Sequence, residues 1–151
     1  MGLKLPTGEE RRKVPSLLLE QEAQLCLHNT RQGPTTVGLD LRRKRIRALN
    51  DQIRQLGPSQ SSNVRWLITA GVHQLGTLDV IAAIERTRTF DAFDADNDPH
   101  SEHDFGAFDL AGHRIFWKID YYSLDLSGGS PDPAEEAVTC RVLTIMLSYE
   151  Y

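Results

Sequence analysis

Apolar residues between positions 41 and 56 recur at mostly helical spacing and predict the first helix. Asp40 is a suitable N-cap residue, because its side chain can accept a hydrogen bond from the free amides of the first turn. The Gly57-Pro58 dipeptide ends the pattern. Residues 1–40 precede the helix and are predicted to form a partly irregular N-terminal appendage.

A strand and a second helix are predicted next. Residues 64–69 (Val-Arg-Trp-Leu-Ile-Thr) have the β-branched and aromatic composition of a strand. The second helix is predicted over about 78–89, with Thr77 as its cap. Its buried stripe is predicted to consist of Leu78, Ile81 and Ile84.

Residues 104–122 predict a β-hairpin with its turn at Ala111-Gly112. A two-residue loop places Asp109 opposite Arg114, which is a favourable pair of opposite charges. The same register places Gly106 opposite Trp117, whose ring can cover the glycine. One face of the second strand is then predicted to face the core, with the residues Ile115, Trp117, Ile119 and Tyr121.

The C-terminal segment fits two kinds of element. Residues 132–135 (Asp-Pro-Ala-Glu) have the N-cap, the N1 proline and the N3 acid of a helix start. Residues 143–149 also alternate in polarity, as a strand does. The start signal favours the helix. Together the elements predict one α+β domain over residues 41–151, in which an antiparallel hairpin or sheet packs against two or three helices.

Composition is that of an ordinary globular chain, with 40% hydrophobic and 25% charged residues. The two cysteines, Cys26 and Cys140, do not form a disulfide framework. No segment resembles a secretory signal, and no apolar run approaches the length of a membrane span. These features predict a cytoplasmic protein with no membrane association.

Charge is distributed unevenly along the chain. Residues 1–58 carry 11 Lys and Arg against 6 Asp and Glu, a net charge of +5. Residues 59–151 carry 6 against 15, a net charge of −9. The two halves can attract each other in the fold, or either can bind a partner of opposite charge.

The densest polar segment is the loop at residues 91–103. Carboxylates and imidazoles bind divalent metals, so this loop supplies five candidate metal ligands, which are Asp96, Asp98, His100, Glu102 and His103. A standard calcium loop is not expected, because Pro99 stands at the position of the required glycine and Phe105 at that of the bidentate glutamate. Such residues are also ordinary turn formers.

The hairpin register suggests a candidate catalytic set of His103, Asp120 and Lys118. His103 would face Asp120, which could orient the imidazole as a general base, and Lys118 could stabilise an anion. An ordinary cross-strand ion pair explains the same residues. No serine or cysteine nucleophile accompanies them, and Cys140 is interpreted as a small core residue.

A basic run on the first helix supplies candidate nucleic-acid contacts, which are Arg42, Arg43, Lys44, Arg45 and Arg47. A basic helix face can bind phosphate backbones. Such a face can equally be paired with nearby acids, and the sequence shows no aromatic stacking platform or zinc knuckle beside it.

Several longer motifs resemble one known family. They are Leu49-Asn50-Asp51, residues 96–100 (Asp-Asn-Asp-Pro-His), 102–106 (Glu-His-Asp-Phe-Gly), 116–122 (Phe-Trp-Lys-Ile-Asp-Tyr-Tyr), 130–133 (Ser-Pro-Asp-Pro), 141–147 (Arg-Val-Leu-Thr-Ile-Met-Leu) and the closing Glu150-Tyr151. Residues 41–151 are thereby similar to a bacterial domain family of unknown function, number 3768. The resemblance implies no activity, cofactor or partner. Ser123, Ala111 and Glu136 depart from the pattern, since the family tends to have Asp, Asp and Pro there.

Three function classes follow from these features. The first is a non-catalytic module or inhibitor that binds another protein through its acidic surface, because no catalytic set is recognisable. The second is a metal-dependent, hydrolase-like enzyme that uses the Asp/His/Glu loop. The third is a nucleic-acid binder that uses the first helix. No cofactor is expected except a divalent metal in the second class.

Overall fold

A computed structural model describes residues 35–59 and 61–151. The chain divides into two units, Met1–Thr36 and Val37–Tyr151, and every helix and strand described belongs to the second except for the first helical residue, Thr36. Its helices and strands are α1 (Thr36–Leu56), β1 (Val64–Ile68), α2 (Ala70–Gln74), α3 (Thr77–Arg88), β2 (Phe105–Leu110), β3 (His113–Tyr122) and β4 (Cys140–Leu147). Short 3-10 turns lie at Glu136–Val138 and Ser148–Glu150. Most of the predicted appendage lies outside the described residues.

The four strands form one sheet in the order β1-β4-β3-β2. β1 pairs with β4 in parallel, whereas the other two pairings are antiparallel. The predicted α+β class is therefore confirmed. No helix in the described part of the chain is both long and apolar enough to cross a membrane.

One face of the sheet carries the hydrophobic core. Trp117 and Ile115 of β3 are fully buried there, beside Ile145 and Leu147 of the neighbouring β4. The helices cover this face with the side chains of Ile53, Val72 and Ala83. Each large side chain so buried contributes roughly 1.5–3 kcal/mol to the folded state, which makes this layer the main source of stability.

The β2–β3 hairpin has the predicted register. Asp109 lies opposite Arg114, with 3.1 Å between Asp109 Oδ2 and an Arg114 guanidinium nitrogen, and Gly106 lies opposite Trp117. Ala111 and Gly112 both have positive φ, 52° and 79°. Two left-handed residues match the twist of a two-residue hairpin, so local geometry is sufficient to fix this pairing.

Helix α1 begins at Thr36, so the prediction of Asp40 as its N-cap is wrong. Asp40 lies in the second turn, where its Oδ1 is 3.9 Å from a guanidinium nitrogen of Arg43. Gly38 costs only about 1 kcal/mol relative to alanine within a helix. Nothing between Thr36 and Asp40 therefore stops the helix from starting one turn earlier.

Helix α3 lies within one residue of its predicted ends, but its buried stripe was predicted wrongly. Leu78 and Ile81 are 82% and 58% exposed, and only Ile84 of the predicted set is partly buried. Gly76 precedes the helix as its N-cap instead of Thr77. The side chains that face the sheet follow the i, i+3, i+4, i+7 spacing of one helix face, which is Val80, Ala83, Ile84 and Thr87. Small residues in this stripe permit close packing on the sheet.

The prediction of a C-terminal helix is wrong, because residues Cys140–Leu147 form β4, one of the two inner strands of the sheet. Every residue of β4 except Thr144 is buried. A strand covered on both faces has a nearly continuous apolar sequence, which also satisfies a helical stripe. The apparent helix start is a turn, in which Asp132 Oδ1 accepts a hydrogen bond from the Ala134 amide.

Glu150 joins the C-terminal turn to the segment between β1 and α2. Its carboxylate accepts hydrogen bonds from the Thr69 hydroxyl at 2.6 Å, the Leu147 amide at 2.9 Å and the Gly71 amide at 3.0 Å. The Thr69 hydroxyl first, and then the two amides, lower the pKa of Glu150 from its ordinary value. The ionised carboxylate is thus the form that holds these segments together.

Glu150→Gln is expected to lower the melting temperature at neutral pH and to have less effect in acid. The pKa of Glu150 is lower in the folded than in the unfolded state, so its contribution is complete above the unfolded pKa and is lost as the pH falls through the folded pKa. Thermal unfolding between neutral pH and about pH 2 tests this. The control is Glu136→Gln, at an exposed position. A difference between Glu150→Gln and the native chain that does not vary with pH would contradict the assignment.

Candidate functional site

A cavity of about 330 Å³ lies where α1 meets the loop before β2. Its wall contains Arg47 from α1 and, from the loop, Phe93, Asp94, Asp98, Ser101 and His103. Two predicted metal ligands and one predicted nucleic-acid contact therefore meet at one place. The cavity lies among polar and charged groups contributed by segments about fifty residues apart in the chain.

The imidazole of His103 is held from three directions. Its Nδ1 is 3.0 Å from each carboxylate oxygen of Asp51, and its Nε2 is 3.7 Å from Asp98 Oδ2. The ring stacks on Phe93, with 3.7 Å between the ring centroids and an angle of 1° between the planes. Both ring nitrogens therefore face carboxylates, Nδ1 within hydrogen-bond distance of Asp51 and Nε2 farther from Asp98.

The loop turns sharply just before β2. Ser101 and His103 have left-handed φ values of 56° and 54°, and Asp98 Oδ1 accepts hydrogen bonds from the amides of Glu102 and His103. This turn removes His103 from the β-ladder, which ends at the Phe105–Lys118 pair.

The predicted pairing of His103 with Asp120 is consequently not formed. His103 contacts Asp51 and Asp98, whereas Asp120 binds Lys118 Nζ at 3.0 Å. The three candidate catalytic residues thus separate into two groups, with His103 beside Asp51 and Asp98, and Asp120 beside Lys118. The partner that orients the imidazole is Asp51 on α1.

A buried polar network lies beside the cavity and is centred on Asn50, which is 0% exposed. Asn50 Nδ2 donates to the Glu102 carbonyl at 2.9 Å and to the Tyr121 hydroxyl oxygen at 2.7 Å. Asn50 Oδ1 accepts from Arg141 Nε at 3.1 Å, and the Arg141 guanidinium also donates to the Pro133 carbonyl. The network joins α1 to β3, β4 and both neighbouring loops.

Arg54 connects α1 to α3 and to the aromatic core. It is 2% exposed, it donates to the carbonyls of Thr87 and Arg88 at 2.9 Å, and it forms a 3.0 Å ion pair with Asp51. Its guanidinium also lies over the Phe93 ring at 5.4 Å from the centroid. These contacts fix the carboxylate that holds His103.

Sequence reasoning assigned no role to Asn50, Asp51 or Arg54, although a signal was present. The buried positions of α1 are Ile46, Leu49, Asn50, Ile53 and Arg54, which follow the helical i, i+3, i+4, i+7, i+8 spacing. Two polar residues on that stripe require buried partners. Polar residues at core-facing helical positions therefore indicate a buried polar network from the sequence pattern alone.

Two acids near the network have raised pKa values. Burial raises the pKa of Glu102, and the neighbouring Asp104 raises it further. Burial likewise raises the pKa of Asp104, with added repulsion from Asp98 and Asp120. Burial also raises the pKa of the Tyr121 hydroxyl, so it is a hydrogen-bonding group and not an acid at neutral pH.

The five candidate metal ligands lie in different surroundings. Asp96 and His100 are exposed, while Asp98 and His103 line the cavity. Glu102 Oε2 is 3.4 Å from the Tyr121 hydroxyl. Within residues 35–59 and 61–151, no group of three or more His, Cys, Asp or Glu side chains could hold a metal ion.

The basic residues of α1 border a second, smaller cavity of about 150 Å³. Its wall contains Asp40, Arg43, Lys44, Arg47 and Ser101. Arg47 and Ser101 also line the first cavity, so the two adjoin, and together they are called the α1 groove below. Of the remaining basic candidates, Arg42 is ion-paired with Asp132 at 2.9 Å and Arg45 is exposed.

Many carboxylates of the acidic half are engaged close to their own positions. Asp94 Oδ1 accepts from the amides of Asp96 and Asn97, and Asp125 Oδ1 accepts from the Ser127 amide. Others form ion pairs, which are Glu85 with Arg88, Asp109 with Arg114 and Asp120 with Lys118. These carboxylates therefore stabilise the turns and the hairpin of this half through hydrogen bonds and ion pairs.

One family model, described as "Protein of unknown function (DUF3768)", matches residues 68–150, which is more than half of the chain. The matched range runs from the last residue of β1 to the C-terminal 3-10 turn, and α1 precedes it. No curated protein and no solved structure matches the chain. The chain belongs to the DUF3768 family of proteins of unknown function.

Proposed function

We propose that this protein is a non-catalytic binding module that holds the phosphate backbone of a nucleic acid in the α1 groove, in the cytoplasm. The observation that carries the proposal is that Arg43, Lys44 and Arg47 border one groove. Within the described residues, Lys44 and Arg47 form no ion pair, and the Arg43–Asp40 distance is a long 3.9 Å.

The spacing of these cations suits a linear polyanion. Arg43 and Lys44 lie four and three residues before Arg47, so their side chains are neighbours on one helix face. The Ser101 hydroxyl borders the same groove and could donate to a phosphate oxygen. The formal net charge of −4 does not oppose this binding, because charges more than about 8 Å away are largely screened at physiological salt.

The other two functions have less geometric support. A basic protein partner would need free surface carboxylates, but many acids are engaged by amides and by cations. A metal-dependent hydrolase would need a ligand set, which the described residues do not assemble.

Lys44→Gln is expected to weaken binding of single-stranded nucleic acid across all sequences. With three phosphate contacts, log Kobs should fall with log salt at a slope of about −2, and loss of one contact should reduce that slope by about 0.7. Fluorescence anisotropy of labelled oligonucleotides over a salt series measures both quantities. The charge-matched control is Arg65→Gln, because Arg65 is exposed on β1 and does not border the groove.

Three outcomes would contradict the proposal. These are undetectable binding at low salt, binding that does not depend on salt, and an equal loss of affinity in Arg65→Gln and Lys44→Gln.

A further inference from the structure

The two ends of the α1 groove have opposite charge. Arg43 and Lys44 border the smaller cavity, whereas Asp94 and Asp98 border the larger one. Arg47 borders both. A phosphate backbone matches only the basic end, so the acidic end requires a different part of the ligand.

The two carboxylates at the acidic end each have an oxygen that accepts no hydrogen bond within the described residues. Asp98 uses Oδ1 for two backbone amides, while its Oδ2 has only His103 Nε2 nearby, at 3.7 Å. Asp94 also uses Oδ1 for two amides. The Asp98 side chain is only 5% exposed, so an N–H donor that reached its Oδ2 would be shielded from water. A hydrogen bond to a charged, desolvated carboxylate is among the stronger ones.

We infer that the larger cavity is a pocket for one unstacked nucleobase, with guanine preferred. The inference rests on the proposed function, since Arg43 and Lys44 would hold the flanking phosphates. Arg47, which borders both cavities and has five N–H donors, would contact a phosphate and the base together. Guanine has two adjacent donors, N1–H and the 2-amino group, that suit a carboxylate. It also has two acceptors, O6 and N7, that suit the fork of an arginine such as Arg47.

Size and strandedness agree with this assignment. A volume of about 330 Å³ is at the lower end of the range for ligand pockets, roughly 300–1,000 Å³, so it suits one base and not several. A base can present its Watson–Crick edge to protein only when it is unpaired, so the ligand is a single strand or a loop. Thymine presents acceptors on both sides of its one N–H group, and a carboxylate repels them.

The test is competition between short oligothymidylates that carry one central guanosine, inosine or thymidine. Inosine lacks only the 2-amino group. The guanosine strand is expected to bind about tenfold more tightly than the thymidine strand, which is the scale of one base-specific contact, with inosine between them. Because no strand carries more than one guanosine or inosine, the strands do not assemble through guanine pairing.

Asp94→Asn is expected to reduce the preference for guanosine, because the amide retains an acceptor for the loop amides and loses the negative charge. Arg47→Lys should reduce it as well, since lysine keeps the positive charge but has no planar fork. Asp96→Asn is the matched control, because Asp96 is exposed in the same loop and outside the cavity wall. Thermal unfolding of each variant verifies that it is folded.

The possible failures separate the two proposals. Equal affinity for the three strands, with the expected salt slope, would overturn the base pocket and leave the phosphate groove. A guanosine preference that both Asp94→Asn and Arg47→Lys retain would also overturn the pocket. Absence of binding to every strand would overturn both.

Discussion

Asn50→Ala is expected to lower the free energy of unfolding by about 3–5 kcal/mol, because it removes hydrogen bonds to a buried guanidinium, a carbonyl and a hydroxyl group at once. Asn50 is fully buried and is the acceptor for Arg141 Nε. Its loss would also remove the donor to the Glu102 carbonyl and to the Tyr121 hydroxyl. Each buried group left without a partner costs about 1–3 kcal/mol, and the guanidinium is the most costly because it is charged.

Denaturant unfolding of Asn50→Ala measures this loss, with Asn63→Ala as the control. Asn63 is partly exposed, and its side-chain Nδ2 donates a 3.3 Å hydrogen bond to the Glu136 carbonyl. Loss of this hydrogen bond should cost less than about 1 kcal/mol. A double variant with Arg141→Met should be less destabilised than the sum of the two single variants, because the unpaired charge is gone. Strict additivity would show that the two side chains are not coupled.

Gly106→Ala is expected to be the second large effect, a loss of about 1–3 kcal/mol or more. A Cβ at this position would lie 2.5 Å from Trp117 Nε1 and 2.8 Å from Phe90 Cε1. Trp117 is 0% exposed, and its ring packs edge to face against the Phe90 ring with 5.5 Å between the centroids. The tryptophan ring has no free volume to move into, because interiors are packed as densely as crystals.

The matched control is Gly128→Ala, where an added Cβ meets no heavy atom within 4 Å. That variant should stay within about 0.5 kcal/mol of the native chain. Circular dichroism melts of both variants should show a fall of several degrees for Gly106→Ala alone. Equal melting temperatures would mean that Trp117 does not cover Gly106 as the structure shows.

Both predictions concern the frame that holds the α1 groove. The Asn50 network fixes α1 against the Glu102 backbone, and Trp117 lies under the Arg54 guanidinium at 5.5 Å from the ring centroid. Arg54 in turn holds Asp51, which orients His103 at the wall of the larger cavity. Loss of the frame should therefore weaken the proposed nucleic-acid binding as well as stability.

The hairpin could be predicted from sequence because the information is local. Its two-residue turn and the Asp109–Arg114 and Gly106–Trp117 pairs lie within twelve residues of one another in the chain. The exposed basic face of α1 was recognised for the same reason. A run of Arg and Lys beside an apolar stripe specifies which face of the helix contacts water.

Strand β4 could not be predicted from such local signals. Its residues satisfy helical and strand patterns alike, and Asp132 to Glu135 supply a start signal that belongs to a turn. Only the pairing with β1 and β3 on both sides decides between the two patterns. In α3, the choice of Ala83 and Thr87 over Leu78 as buried positions likewise depends on how closely the helix approaches the sheet.

By itself, then, the sequence determined the α+β class, the family, the hairpin register and the basic face of α1, because each depends on residues near one another in the chain or on motifs. Only the tertiary structure decided that His103 meets Asp51 and Asp98 instead of Asp120, and that Arg47 and Asp98 border one cavity. Asp51 and His103 are separated by 52 positions, and Asn50 and Arg141 by 91. Contacts at such separation form only when the packing of α1 on the sheet brings the segments together, which no local pattern specifies.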